Sequence, residues 1–404
     1  MNYSSQAELA IEILEAGGFE AYIVGGCLRN ILLGKEPNDW DMTTSALPEQ
    51  TRDIFISAGY KVIETGLKHG TVTVIIDSIP IEITTFRIDG EYSDSRHPDS
   101  VAFTRNLKED LSRRDFTVNA MAYSKKSGLV DLFCGKKDLD NMILRCVGVP
   151  TLRFSEDALR ILRAFRFSSE YGFTIEQKTK EAIKECSKGL LRISRERIYH
   201  ELCRMLMGDH ASYAASELVS CEVLPFIFEE YKDSYMPPCD ILNKLPKILA
   251  VRLAAFIVNF KKSDAEKALI SLKMSNKDKS EVKLLLSAIS TLKDQNENID
   301  VIFARRFIQK YGSLTESAIS LAELLRVNVI KIKETVSNAK KDRFPLGIPD
   351  LAINGNDVIK LGATGEGVGE ILSLLLSDAT KDPSVNTRKQ LLALAQKYIL
   401  EKKQ

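Results

Sequence analysis

GGCLRNILLGKEPNDWD, residues 25–41, opens on two glycines, carries Arg29, and closes on the triplet Asp39-Trp40-Asp41. Side chains two apart in an extended strand point to the same side, so a strand through 39–41 puts two carboxylates on one face. Paired hard oxygen ligands suit Mg2+, which takes few protein carboxylates, keeps several waters and completes its shell from substrate phosphates. The substrate class this implies is a nucleoside triphosphate. The preceding Ile23-Val24-Gly25-Gly26 reads as a buried strand entering a tight glycine turn, where backbone amides approach phosphate with no Cβ in the way. Arg29, three residues past Gly26, supplies counter-charge. Taken alone, the triplet fits a solvated strand or turn at least as well.

Matching pieces lie further along. Val72 to Ile76 and Ile79 to Thr85 alternate as paired strands around Asp77-Ser78, with Glu82 and Thr84 facing opposite Ile81 and Ile83. Glu82 is therefore either a third carboxylate beside the aspartates or a solvated residue on a wet face. LSRRDFTVNA, residues 111–120, adds Arg114, whose fork suits a triphosphate, with Asp115 and Asn119 placed to orient it or to hold a ribose. FSEDALRILRAFRF, residues 154–167, predicts a helix starting at Ser155, with Leu159, Ile161, Leu162 and Phe165 on its buried side. Asp157 and Arg160 fall three apart, and Arg163 and Arg166 continue the step. A carboxylate beside a guanidinium offers acceptors and planar donors together, as the Watson–Crick edge of a base requires. An intrahelical ion-pair ladder that includes Glu156 with Arg160 is the competing reading.

The ordered set GG..R, D.D, EITTFR, RRDFTVNA, EDALR and ISRERIYHEL resembles the bacterial class II tRNA nucleotidyltransferases, the CCA-adding enzymes. The likeness runs over nearly the whole chain, and residues 351–372 are similar to that family's C-terminal segment. It implies an α+β fold: a polymerase-β-like nucleotidyltransferase palm with a mixed sheet, then an all-α neck, body and tail. It implies addition of C, C and A to the tRNA 3′ end without a nucleic-acid template, with CTP, ATP and tRNA lacking all or part of its CCA as partners. Position by position, Asp39 and Asp41 would hold catalytic Mg2+, and Gly26, Arg29 and Arg114 would contact the triphosphate. Asp157 and Arg160 would read the base edge, with Arg163 and Arg166 close by on the nucleotide. Glu82 completes the catalytic candidates on the strand argument above.

Several details bear on the choice within the family. Asn30 stands where the family commonly has Asp, so a charge is lost but an amide remains to orient Arg29, and nucleotide affinity rather than reaction type is at stake. Residues 88–112, rich in Asp, Ser and Arg, read as a long mobile loop. The family associates such a segment with the switch from C to A addition. No His-Asp dipeptide occurs, so no phosphatase activity is expected. An A-adding or poly(A)-polymerase relative shares the head motifs and differs in base choice, and an RNA-binding protein without catalysis is the third reading.

At 404 residues the chain exceeds a single typical domain. The expected division is a catalytic head at 1–150, a base-recognising neck at 151–215, a body at 216–342 and a tRNA-binding tail at 343–404, with breaks at Ser234 to Asp240 and Arg343 to Asp350. Lys and Arg total 56 against 55 Asp and Glu, so no overall basic field attracts RNA and any tRNA contact is local. Candidates are Arg192, Arg195 and Arg197, the glycines from Gly362 to Gly369 ahead of a helix starting near Gly369, and Lys397, Lys402 and Lys403. His69, His97, His200 and His210 lack metal-ligand spacing, and seven unpaired cysteines point to reduced thiols and a cytoplasmic setting. The N-terminus reads as an amphipathic helix without signal-peptide features, and no apolar run approaches the ~20 residues of a membrane span. Monomer and homodimer are both left open.

Overall fold

The computed structural model describes residues 3–67, 70–90, 101–294 and 299–401. His69, His97, Lys402, Lys403 and the middle of the expected loop lie outside the described residues.

Short β-branched and aromatic runs build the first sheet. Its strands are β1 (Ala21–Val24), β2 (Trp40–Thr44), β3 (Lys61–Gly66), β4 (Thr71–Ile76) and β5 (Ile79–Thr85). After a two-stranded ribbon of β6 (Arg87–Asp89) and β7 (Val101–Phe103), β8 (Met121–Ser124) and β9 (Gly128–Asp131) complete it. The order is β3-β4-β5-β2-β1-β8-β9, with β2 and β5 parallel and every other neighbour antiparallel, so the sheet is mixed as expected. Asp77 and Ser78 take φ of 48° and 68°, the pair of left-handed residues that a tight hairpin between right-twisted strands requires. Along β5, Ile81 and Ile83 are buried while Glu82 is exposed, which is the predicted alternation.

The helices of this part are α1 (Ser5–Ala16), α2 (Gly25–Leu32), α3 (Pro48–Ser57), α4 (Leu107–Ser112), α5 (Gly135–Asp140), α6 (Pro150–Glu156) and α7 (Leu159–Tyr171). They continue with α8 (Gln177–Cys186), α9 (Arg195–Met207) and α10 (Ala211–Ser220). α1 is capped by the Ser4 hydroxyl, and its Ala7, Ala10, Ile11 and Leu14 are buried. α7 is buried nearly all round, including Arg160 and Arg166, because α9 and α10 both pack on it. Gly208, ahead of α10, allows that approach: a Cβ there would sit 2.2 Å from Ser169 Oγ.

Two sequence expectations are corrected. Ser155 does not start a helix; it lies in the last turn of α6, and the chain breaks at Asp157 (φ −139°, ψ 102°) before α7 begins. Nor is 88–112 one uniform loop, since β6, β7 and α4 structure its described ends.

The chain forms two compact units, Met1–Asn243 with Asn259–Met274, and Lys244–Val258 with Ser275–Gln404. The second is helical. Its last helices, Gly355–Lys360, Glu366–Lys381 and Arg388–Glu401, close on a core of Val358, Ile371, Leu375, Leu391, Ala395 and Ile399. The helix expected near Gly369 starts three residues earlier, preceded by Gly365 at φ 55°. Buried Arg305 ties that helix down by donating from Nη1 to the Thr380 carbonyl at 2.9 Å and the Lys381 carbonyl at 3.1 Å, both at its C-terminal end. Among the described residues no helix is long and apolar enough to cross a membrane.

Gly135, at the start of α5, offers a test of packing behind the LSRRDFTVNA segment. A Cβ there would lie 2.2 Å from the Thr117 carbonyl oxygen, which is backbone and cannot swing away. Gly135→Ala should cost about 2 kcal/mol or more in urea denaturation. Gly367→Ala, in open space within a helix, should be neutral or stabilising.

Candidate active site

β1 is buried and runs into α2 through Gly25, whose φ of 72° turns the chain tightly between extended Val24 and the helix, as the sequence reading expected. The glycines are needed for close approach. A Cβ on Gly25 would meet Arg114 Nη1 at 3.2 Å and Asp41 Oδ2 at 3.5 Å, and one on Gly26 would meet Arg29 Nη2 at 3.6 Å. The first backbone N–H groups of α2 therefore sit beside an acidic and a basic side chain, a setting suited to an anion and its counter-cation.

Asp41 lies on β2, paired in register with Glu82 on β5. Asp39 falls in a bend one residue ahead of β2 and is exposed, so only Asp41 of the expected strand pair belongs to the ladder. Burial pushes the Asp41 carboxyl above its ordinary value; Arg114 and Arg29 oppose this, while Glu82 and Asp39 add to it. A divalent cation beside it would favour the charged form. Among the described residues no three or more His, Cys, Asp or Glu converge as a complete metal cluster. A site built from two carboxylates fits an ion that draws its remaining ligands from water and triphosphate.

Asp110 sets the two arginines of the RRD run. It is fully buried, and its Oδ1 accepts from Arg113 Nε at 3.0 Å and Nη2 at 2.8 Å. Its Oδ2 accepts from Arg114 Nη2 and from the Thr43 hydroxyl of β2, both at 3.2 Å. Burial would raise this carboxyl, but Arg114 and Arg113 outweigh it and the net shift is downward. Asp110 was missed in the sequence, although its i, i+3 and i, i+4 spacing to the arginines was visible there.

A second buried carboxylate, Asp115, organises the opposite side. Oδ2 accepts from Arg163 Nε at 2.8 Å and Nη2 at 2.6 Å, while Oδ1 accepts from the Phe116 N–H at 2.8 Å and Asn119 Nδ2 at 3.0 Å. Asn119 Oδ1 then accepts from Arg29 Nη1 at 2.6 Å. Arg29 Nη2 donates to Tyr171 Oη at 2.7 Å and to Asn30 Oδ1 at 3.0 Å, and its guanidinium lies 4.3 Å from the Tyr171 ring centroid. The Asn30 amide thus orients Arg29, as the substitution from Asp allowed.

The cavity between these groups measures about 320 Å³. Of the sequence candidates, Gly26, Asp41, Arg114, Asp157, Arg160 and Arg163 line it, together with Arg113, Asp115, Asn119 and Arg197. Arg29 and Arg166 lie behind its wall, and Arg166 is buried against Glu201 at 2.8 Å. Asp39 and Glu82 are not among its lining residues. Asp157 and Arg160 are both present but not paired with each other. Arg160 Nη1 holds Glu156 Oε2 at 2.6 Å, the rung of the competing ladder, while Asp157 Oδ2 accepts from Arg197 Nη2 at 3.0 Å.

A family profile described as "Poly A polymerase head domain" matches residues 21–145, and one described as a second tRNA nucleotidyltransferase domain matches 249–395. The CCA-adding enzyme of Lactiplantibacillus plantarum is 35% identical over 405 aligned residues, covering 96% of this chain and 95% of its own. The chain belongs to the CCA-adding enzymes. It is therefore a nucleotidyltransferase of a metal-dependent kind. The crystal structure of the Bacillus stearothermophilus CCA-adding enzyme in complex with CTP matches it with a TM-score of 0.77 and 29% identity, covering 98% of each chain. The Thermotoga maritima CCA-adding enzyme complexed with tRNA shares the fold, with a TM-score of 0.69, 21% identity and coverage of 97% and 94%.

The Asp115 network predicts an acid response. Burial raises its carboxyl, yet Arg163 and the hydrogen bonds overcome this and hold it well below the usual carboxylate range. A depressed native pKa contributes stability that is present above the unfolded value of about 3.9 and is lost as pH falls toward the native one. Asp115→Asn should be about 3 kcal/mol less stable than the parent at pH 7, and that gap should narrow as denaturation is repeated from about pH 4 to pH 2.

Proposed function

We propose that this cavity binds CTP and ATP in turn and adds C, C and A to the 3′ end of tRNA that lacks all or part of its CCA, with protein side chains as the template. The observation that carries this reading is a single cavity with the acceptor Asp157 and the donor Arg160 in its wall together with Asp41, Arg114 and the α2 N-terminus. Cytosine and adenine each present an amino donor beside a ring-nitrogen acceptor on the Watson–Crick edge, and uracil and guanine present the reverse. Asp157 accepts from the amino group and Arg160 donates to the ring nitrogen, so two side chains accept both correct bases and reject both wrong ones. Arg163 and Arg166 support the nucleotide from the same helix, Arg163 at the cavity wall and Arg166 from behind it.

At the other end, Arg114 and the amides around Gly26 neutralise and orient the triphosphate, with Arg29 backing them through Asn119. Asp39 and Asp41 would hold Mg2+ ions, with Glu82 as a further carboxylate on the neighbouring strand. When bound, such ions lower the pKa of the tRNA 3′-hydroxyl and steady the leaving pyrophosphate. The hydroxyl oxygen forms the new bond to the α-phosphorus as the bond to pyrophosphate breaks, and no protein nucleophile takes part. In this reading residues 1–150 are the catalytic head, 151–215 the base-reading neck, and 216–342 and 343–404 the body and tail that hold tRNA. The setting is cytoplasmic.

Purified protein incubated with Mg2+, CTP, ATP and tRNA ending before CCA should yield complete CCA ends on sequencing. Addition of A alone, and only to tRNA ending in CC, would make it an A-adding relative; no addition would leave an RNA-binding protein. Asp41→Ala should lower incorporation about 10³-fold. Arg160→Ala should keep some transfer but cut the preference for CTP over UTP about tenfold or more.

A further inference from the structure

α9 places in the pocket a side chain that the base-reading scheme leaves unused. Arg197, in the first turn of α9, lines the cavity and reaches across to Asp157, Nη2 to Oδ2 at 3.0 Å. The other Asp157 oxygen, Oδ1, accepts from the Leu159 N–H at 2.9 Å at the start of α7. Each oxygen is thereby held at one lone pair and keeps another for a ligand. Arg160 is held separately, by Glu156 Oε2 at 2.6 Å and by the Arg153 and Arg113 carbonyls at 3.1 Å each.

The separation matters because an acceptor and a donor that satisfy each other cannot read a base. Asp157 sits at a break in the helix, and Arg163 lies close enough for their charges to interact. With only the Leu159 N–H to hold it, the carboxylate would turn its other oxygen to a guanidinium of the pocket itself and close its own hydrogen-bonding edge. Arg197 takes that place from a different helix.

Resting on the base-reading role of Asp157, we propose that Arg197 is a positioning residue for nucleotide specificity, which holds the Asp157 carboxylate apart from the pocket arginines and aimed at the amino group of cytosine or adenine. The role lies in the discrimination between bases. Triphosphate contacts and the metal carboxylates are untouched by it.

The test measures kcat/KM for single additions of each of the four nucleotides to tRNA, using the full chain and the variants Arg197→Met, Arg197→Lys, Asp157→Ala and the Arg197→Met/Asp157→Ala double. Arg197→Met, which keeps the aliphatic stem, should cut the ratio for CTP over UTP about tenfold, with Arg197→Lys recovering part of it. In the Asp157→Ala background the same change should add nothing to the loss of selectivity, since the two act as one unit. A uniform fall for all four nucleotides in both Arg197 variants, accompanied by a lower Tm, would mean a purely structural role and overturn the proposal. So would unchanged selectivity in Arg197→Met while Asp157→Ala destroys it. If Asp157→Ala itself leaves selectivity intact, the base-reading scheme falls and this inference with it.

Discussion

Asp115 keeps its charge out of water, and the way that charge is balanced decides where the rest of the pocket stands. A lone buried carboxylate is costly enough to shed its charge, so its retention demands a cation and hydrogen bonds from every side. Arg163 comes from α7, Asn119 and the Phe116 N–H from the segment before β8. The carboxylate therefore fastens α7, which carries Arg160 and Arg163, to the segment leading into the sheet that carries Asp41. Through Asn119 the same network reaches Arg29 on α2, the helix that starts beside Asp41 and Arg114.

Phe167 supplies the apolar counterpart of that network. Its ring lies 4.3 Å from Arg166, 5.0 Å from Arg29 and 5.3 Å from Arg163, and packs edge-on against Phe116 at 5.8 Å. Arginines resist deprotonation and stack on aromatic faces, which makes a dense group of guanidiniums tolerable where lysines would shift or leave. Burial still lowers Arg166 to about 10, with Arg163 adding to the shift and Glu201 opposing it. The result is a positively charged wall with little freedom to move, and for a reaction that relies on alignment and charge neutralisation such stiffness is the contribution the protein can make.

Around this wall, each side chain at the cavity is oriented by a neighbouring one. Asp110 sets Arg113 and Arg114, Glu156 sets Arg160, Arg197 sets Asp157, and Asn30 with Tyr171 sets Arg29. These supports come from different elements, so a loss of packing at α4, α6 or α9 is felt in the cavity.

The chain's own order determined a good deal. The β4–β5 hairpin was legible from alternation and the Asp77-Ser78 turn, the paired glycines from their place after a buried run, and the RRD and EDALR runs as charge at fixed spacing. These features depend on residues near one another in sequence, where periodicity and sterics act directly. Which charges pair across the fold was not legible. Spacing offered Asp157 to Arg160, three residues away, yet the helix breaks between them and Asp157 finds Arg197 forty positions on. Asp115 and Arg163 stand 48 apart, and Arg29 meets Asn119 at 90 and Tyr171 at 142. A carboxylate in a sequence has many guanidiniums within reach of a flexible chain, and only packing, by excluding water and fixing distances, makes one of them the partner.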